Sequence, residues 1–456
     1  MKLLQIALVL ILAAASTAPV GAATFEKLSL PGTHQTAFGM NHDGSRMCGG
    51  FGTSIYLWED GVWTPIAECS PGNKLMRMSA DGGTIIANVA DSLGINYPAI
   101  YREVDGWVPQ VLDVPEEFQK CDYSRANGYS ISGDGTKVTG LLWDGCEAKC
   151  FLWTEETGFQ DLGWTRGSRI SDDGSVIGGF TQLSGEGTRR PAIWPITGNI
   201  GGSPVVLHHE LDEGEVYDMT SDGSLMVGTA YPYGSPPEQL GYQAFVWQPG
   251  DTTITQLGTL SGSLYDISKA THVGDNGIIL GHSGPSSTNI TPFIWTVETG
   301  MVNMKQWLID NGAEGLTNST ALLFTKEISP DGSVMVGEWA DLYGGWGYYR
   351  AELTSLSPVA ETPVAGANLT RVHPNPFNPL TTVEFSLQRS MRTKVAVYDL
   401  QGRRVAVLAD RVFGTGNHSL DWQGRDMAGR QVASGAYVIR METEEGAEHR
   451  SVTLVK

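Results

Sequence analysis

Asp173-Gly174-Ser175-Val176-Ile177-Gly178-Gly179 decides the fold, because its pattern occurs seven times along the chain. A turn phrase opens each copy and a small residue closes it six positions on: Asp43 to Gly49, Asp81 to Ala87, Asp134 to Gly140, Asp222 to Gly228, Asp275 to Gly281 and Asp331 to Gly337. Asp-Gly between apolar runs is a hairpin signal, since Gly accepts positive φ and Asp bonds its own backbone two residues on. A unit recurring every roughly 40 to 55 residues must be part of an array, because one copy alone cannot bury its apolar face.

Each unit carries further strands. Arg169-Ile170-Ser171 and Glu327-Ile328-Ser329 precede the turn, and Val176-Ile177 and Val334-Met335-Val336 follow it. A doubly buried third strand reads as Tyr56-Leu57-Trp58, Ala99-Ile100-Tyr101, Phe151-Leu152-Trp153, Ala192-Ile193-Trp194, Phe245-Val246-Trp247 and Phe293-Ile294-Trp295. A second Gly turn leads to a fourth strand, as in Phe159 to Gly163 and Ile254 to Gly258. Four short strands repeated radially describe a β-propeller, and the 57 glycines and absent 3.6-residue period exclude a helical solenoid. The seventh copy lacks its own fourth strand, while Phe25 to Leu30 is an orphan. Pairing that segment with Tyr348 to Leu353 closes a seven-bladed ring and removes an exposed sheet edge. The tryptophans Trp58, Trp153, Trp194, Trp247 and Trp295 fall at equivalent strand positions and read as core between blades.

These phrases resemble the HAF-type extracellular repeats of bacteria over about Phe25 to Leu353. The match is best at Gln256-Leu257-Gly258-Thr259-Leu260 with Gly277 to Gly281, and at Phe151 to Gly163. Tyr101 replaces the Trp in the second copy, and Tyr348-Tyr349 in the seventh. The resemblance implies a secreted propeller-like protein and no particular activity.

Met1-Lys2, an apolar run from Leu3 to Ala15 and the small residues Gly21-Ala22 read as a signal peptide over 1–23, with cleavage after Ala22 or Ala23. The run is too short to span a bilayer, and no transmembrane segment is expected in the mature chain. Five cysteines (Cys48, Cys69, Cys121, Cys146, Cys150) leave at least one unpaired or intermolecular, and Cys146 with Cys150 is the candidate disulfide. Zinc is disfavoured there, because no second pair of ligands is near. The formal net charge is −20. From Asn368 onward 12 Lys/Arg face 9 Asp/Glu, leaving 18 against 41 in the rest. Such an acidic propeller repels phosphate backbones and anionic lipid, so no nucleic-acid partner is expected. No cofactor is expected either. Calcium is the alternative, since turns such as Ser171 to Ser175 offer oxygens, although none shows the spacing of a dedicated loop.

A Pro-containing linker, 354–367, precedes a second module at 368–456. Strands are expected at Thr381 to Leu387, Lys394 to Leu400, Arg404 to Leu408, His418 to Trp422, Gly435 to Arg440 and Arg450 to Val455, which suggests a small β-sandwich. The stretch Pro374-Asn375-Pro376-Phe377-Asn378-Pro379, with Val397-Tyr398-Asp399-Leu400-Gln401-Gly402-Arg403-Arg404-Val405, Asp421 to Asp426, and Ser434-Gly435-Ala436-Tyr437-Val438-Ile439-Arg440, resembles two families equally. One is the C-terminal sorting domain of type IX-secreted proteins. The other is the Ig-like domain of flagellar hook-capping proteins. The resemblance implies export or surface attachment through 368–456, via the periplasm.

No nucleophile elbow, zinc-protease motif or phosphate loop is present. His208-His209-Glu210 reads as a surface loop, since adjacent strand residues point to opposite faces. Asp172-Asp173 and Glu155-Glu156 read as solvated turn carboxylates. Off-repeat aromatics Tyr231, Tyr233, Tyr242, Trp339, Tyr343 and Trp346 lie in the variable loops where binding would be carried. The sequence therefore favours a non-enzymatic secreted or cell-surface propeller binding a glycan or protein. The alternative is a polysaccharide- or peptide-acting hydrolase or lyase on the same scaffold.

Overall fold

A computed structural model describes residues 23–32, 35–69, 75–118, 125–143, 146–182, 189–207, 213–231, 241–251, 254–297, 299–342, 344–353, 367–373, 379–387, 389–399, 404–427, 429–432, 435–443 and 446–454. The signal-peptide residues before Ala23, the His208-His209-Glu210 cluster, Tyr233, Tyr343 and the Pro374 to Asn378 motif lie outside them. The chain divides into two compact units, Met1–Leu356 and Ser357–Lys456.

In the first, antiparallel pairing groups the described strands into seven four-stranded blades. Blade one is Gln35–Met40, Arg46–Phe51, Ser54–Glu59 and Val62–Glu68. Blades two, five and six follow the same order. Blades three and four share one 13-residue strand, Gly158–Ile170, whose first half pairs back to Ala148–Thr154 and whose second half pairs on to Val176–Gln182. Blade seven takes its outer strand from the start of the chain. Glu26 and Lys27 lie opposite Arg350 and Tyr349, Ala23 bridges Leu353, and Leu28 N donates to Tyr348 O at 2.9 Å.

The repeated turn has one local chemistry. Asp43, Asp81, Asp134, Asp173, Asp222 and Asp331 each accept from the amide two residues on, at 2.9–3.0 Å. The following glycines hold φ between +64° and +80°. Blade six differs from the sequence expectation. Its turn is one residue shorter, so Asn276 takes the turn position, bonding Ile278 N at 3.1 Å. Asp275 is released to accept from Ser221 N of blade five at 2.7 Å.

That residue belongs to a closed belt of hydrogen bonds. His42 N donates to Ala80 O, Ala80 N to Gly133 O, Gly133 N to Asp172 O, and Asp172 N to Ser221 O. Ser221 N reaches the Asp275 carboxylate, Asp275 N donates to Pro330 O, and Asp331 N returns to His42 O. All seven bonds measure 2.7–3.0 Å.

The closing small residue has an equally direct cause. The first strand of most blades carries a bulge, at Gly128/Ser130, Gly167/Arg169, Val216/Asp218 and Ala270/His272 among others. A Cβ on Gly140, Gly179, Gly228 or Gly281 would stand 1.9–2.0 Å from the carbonyl oxygen of Asn127, Arg166, Glu215 or Lys269 in that strand. In blade two, where Ala87 stands in place of the glycine, the described first strand is only Arg77–Met78 and pairs with Ile86 and Ile85, not with Ala87.

Between blades, Trp58 packs with Val334, Val336 and Tyr348 of blade seven, and Trp153 with Ile86 and Ile100 of blade two. Fully buried Trp194 packs with Leu152 of blade three and donates to Leu162 O at 3.0 Å. Each such side chain contributes ~1.5–3 kcal/mol on burial. One α-helix, Met304–Asp310, was not expected. Asn303 caps it, and it buries Met304, Trp307 and Leu308 in the core of blades six and seven.

The expected Cys146–Cys150 disulfide is corrected. Cys150 is a free thiol in the core between blades three and four, and burial pushes its pKa up to about 12. Cys146 is exposed in the loop before that strand and is disulfide-bonded to another cysteine. Strand alternation turns position 150 inward, out of reach of the loop.

The second unit is a two-sheet sandwich. Ala367–His373, Thr381–Leu387 and Gly416–Trp422 form one sheet, and Arg404–Phe413, Met391–Asp399, Gly435–Thr443 and Gly446–Leu454 the other. Phe385, Val395, Phe413, Trp422, Ile439 and Met441 fill the core. Of the motif residues, Tyr437 packs edge-on against Trp422 at 5.0 Å, with its strand partner Asp399 beside it and Tyr398 half-buried. Pro379 is exposed, Gly435 opens its strand, and Gly402 falls outside the described residues.

Candidate functional site

The first strand of every blade places one residue four positions before its turn residue at an equivalent point of the ring. The set is Gly39, Arg77, Ser130, Arg169, Asp218, His272 and Glu327. It forms a polar inner layer that is closed by ion pairs. Arg77 pairs with Glu327 from two blades away, reaching past Gly39, where a Cβ would come within 2.9 Å of the Arg77 Cα. Arg169 Nε lies 2.9 Å from Asp218 Oδ1, and the other Asp218 oxygen accepts from Val273 N at 3.0 Å. Burial lowers Arg77 to about 9 and His272 to about 3, so His272 is neutral at physiological pH. Its Nδ1 lies 2.9 Å from Thr271 Oγ1.

Because a bulge adds one residue, side chains three positions apart across it share a face. The positions three earlier are Asn127, Arg166, Glu215, Lys269 and Phe324, which build a second layer toward the loop end of the strands. Glu215 is buried and receives Arg166 and, at 2.8 Å, Ser168 Oγ. Burial works against the Arg166 charge, but Glu215 outweighs it and raises the pKa. The Arg166 guanidinium lies over Tyr129 and Phe180 at 5.8 and 5.3 Å, and exposed Arg189 over Phe180 at 4.7 Å. Lys269 Nζ sits between the rings of Tyr217 and Tyr242, at 5.8 and 4.8 Å, and burial lowers its pKa. Tyr231 stands edge-on to Tyr242 at 6.1 Å. The result is a half-buried aromatic and cationic mouth above a sealed layer.

Sequence reasoning brought out Tyr231 and Tyr242, which do meet here. Trp339 lies elsewhere, under Lys27 at 3.5 Å, and Trp346 beside Tyr348 at 5.2 Å. The charged layers were missed, although a polar or charged residue recurring four before the turn was the available signal. Asp172 and Asp173 do different things: Asp172 joins the belt, while Asp173 accepts from Ser171 Oγ at 2.6 Å within its turn. Glu156 accepts from Asn199 at 2.6 Å near a cavity of about 520 Å³ that Asp134, Glu155 and Arg102 also line. Among the described residues, no three His, Cys, Asp or Glu side chains converge as a metal site requires, and no helix is long and apolar enough to cross a membrane.

The strand pairing defines a β-propeller followed by an Ig-like domain. Residues 379–447 match the FlgD Ig-like domain. Among solved structures, the chain is similar to an oligogalacturonate lyase from Vibrio parahaemolyticus (12% identity, TM-score 0.49, covering 73% of this chain and 98% of that one). It is also similar to the β-propeller domain of the Trilobed protease from Pyrococcus furiosus (8%, TM-score 0.45, 70% and 94%), and to a puromycin-hydrolyzing peptidase from Mycobacterium tuberculosis (11%, TM-score 0.49, 80% and 61%). No curated protein matches the sequence.

Proposed function

We propose that the chain is an exported, non-enzymatic binding protein that takes a glycan or protein ligand at the loop-end mouth of its propeller. The observation that carries this is the cluster of Tyr129, Tyr217, Tyr231 and Tyr242 with Arg166 and Lys269, contributed by blades three to six. Half-buried rings beside cations are suited to holding a ligand, and the ion-paired layer beneath gives them a rigid floor. Glycan and peptide arrays probed with the mature chain test this reading. Binding that Tyr242→Ala abolishes supports it. Turnover of an array ligand would instead favour the hydrolase or lyase alternative.

The second unit is proposed to direct export or surface attachment, by the type IX route or through an Ig-like contact of the FlgD kind. Support comes from the FlgD match and from a core that the sandwich builds by itself. Full-length and truncated chains (ending at Gly366) should fractionate differently, with the truncated form retained in the periplasm. Identical distributions would refute the sorting role. Cleavage after Ala22 is proposed for the leader, because Ala23 is buried and its amide donates to Asn311 O at 2.7 Å. Sequencing the mature N-terminus distinguishes Ala23 from Thr24.

A further inference from the structure

The mouth is positive in a protein that is strongly negative. Among the described residues, Arg166, Arg189 and Lys269 face one ion-paired carboxylate there, Glu215, whereas the chain as a whole carries −20. Glu215 is already engaged by Arg166 and Ser168, with Arg189 Nη1 4.0 Å away. Lys269 has no such partner. Its ammonium lies over two tyrosine rings, 5.8 and 4.8 Å from their centroids, and makes no hydrogen bond or ion pair among the described residues. His282, opposite it on the next strand, is pushed down to about 4 by burial and by Lys269, and so adds no second positive charge.

Glu215, already engaged by Arg166 and Ser168, offsets the burial of the Lys269 ammonium only in part, so its pKa stays lowered and an incoming anion relieves it. The rings on either side decide what kind of anion fits. Tyr217 and Tyr242, with Tyr231 beside the latter, present flat apolar faces with polar rims. Such faces suit the C–H face of a sugar ring, and the hydroxyl rims suit its hydroxyls. We propose that the mouth binds an acidic oligosaccharide, with the Lys269 ammonium holding a uronate carboxylate and Tyr217 and Tyr242 stacking the sugar rings. Arg189, half-exposed and 4.0 Å from Glu215, receives a second carboxylate along the chain of sugars. The proposal rests on the binding reading above and specifies its ligand.

The test is calorimetric titration of the full mature chain with tetramers of galacturonate and of mannuronate, beside their methyl esters and carboxyl-reduced neutral counterparts. At least one acid tetramer should bind, its ester should bind at least tenfold more weakly, and rising salt should weaken the acid form only. Lys269→Met, which keeps the aliphatic stem between the rings, should weaken the acid form at least tenfold and leave the ester unchanged. The ester comparison needs no variant, so it decides even if Lys269→Met fails to fold. The proposal is overturned if no acid tetramer binds at millimolar concentration, if esters bind as tightly, or if Lys269→Met leaves affinity unchanged. A pentaglutamate peptide that binds equally and displaces the sugar also overturns it. A neutral glycan or protein ligand that Tyr242→Ala abolishes would leave the broader reading standing and remove this one.

Discussion

Gly179→Ala and Gly281→Ala should each destabilise the propeller strongly, although they add only one methyl group. In both cases the new Cβ would stand within 2.0 Å of a carbonyl oxygen, of Arg166 or of Lys269. Ordinary contact needs more than 3 Å, so the first strand must shift by about 1 Å or its bulge must flatten. Over-packing of this kind costs about 1–3 kcal/mol, and the upper end applies because the clash is with backbone. At about 2–4 °C per kcal/mol the melting temperature should fall by about 6–12 °C. Ala87 is the internal control. It occupies the same repeat position and already carries a Cβ there, beside a described first strand that pairs only as far as Ile86, so Ala87→Gly should cost only the ~0.5–1 kcal/mol of a glycine within a strand, plus a small cavity term. Calorimetric melting of the three variants decides the matter. If both Gly→Ala variants melt within about 1 °C of wild type, the bulge does not explain the repeat's small residue.

Deleting Thr24 to Pro31 should remove ~5 kcal/mol, from its backbone bonds to Tyr348 and Glu352 and from Phe25 packing on Tyr349 at 5.1 Å; unchanged denaturant midpoints would show that the strand does not close the ring. Glu327→Ala should cost about 3–5 kcal/mol by stranding Arg77 in the inner layer, whereas the double variant Arg77→Met with Glu327→Leu should recover most of it; equal losses in urea melts for single and double variants would exclude the pairing. His272 titrates at about 3 when folded and near 6.5 when unfolded, so the unfolded chain binds the proton first. Its contribution is therefore full above pH ~6.5 and fades as pH falls toward 3, at up to ~1.4 kcal/mol per pH unit, and His272→Asn should flatten that slope in stability measured against pH. Asp43, Asp81, Asp134 and Asp173 are held below the usual carboxylate range; hydrogen bonds from the neighbouring turn residues are responsible, outweighing burial at Asp134 and Asp173. Their stabilisation is present above pH ~4 and lost below it, a second and separate acid step in the same titration.

The parts of this fold that were legible in the sequence are those whose causes are local. An Asp that bonds the amide two residues on writes itself into the chain as Asp-Gly-Ser, and an orphan strand at one end is matched by a missing strand at the other. Most strands of the second unit were placed to within a few residues because their apolar alternation is regular, as in Thr381–Leu387, but Ala367–His373, at the edge of the expected linker, was not expected. What was not legible depends on ring geometry. Arg77 and Glu327 are 250 residues apart, and only the closed circle brings them together. The blade-six turn was misplaced by one residue because Asp275 and Asn276 are both turn formers, and the choice between them is made by Ser221 of the neighbouring blade. The cysteine pairing failed for a similar reason, since strand register rather than spacing decides which thiol faces inward. Tyr231 and Tyr242 were visible as off-repeat aromatics, but Tyr129 and Tyr217 lie within repeat strands and were missed, and Lys269 between Tyr217 and Tyr242 had nothing in its neighbourhood to mark it.

The belt through His42, Ala80, Gly133, Asp172, Ser221, Asp275 and Pro330 has a consequence for how the propeller comes apart. A linear stack of repeats frays from its termini, giving a ladder of partly opened states with graded protection. A circle offers no terminus to fray from, apart from the single seam where the first strand meets the last blade. Amides of the belt in blades three, four and five, remote from that seam, should exchange with solvent together and only through global opening. Those near His42 and Asp331 should exchange earlier, through the lifting of one strand. The same geometry bears on the count of blades: losing or gaining one would change the angle and spacing at every link of the belt, so repeat number is constrained here more than in an open array.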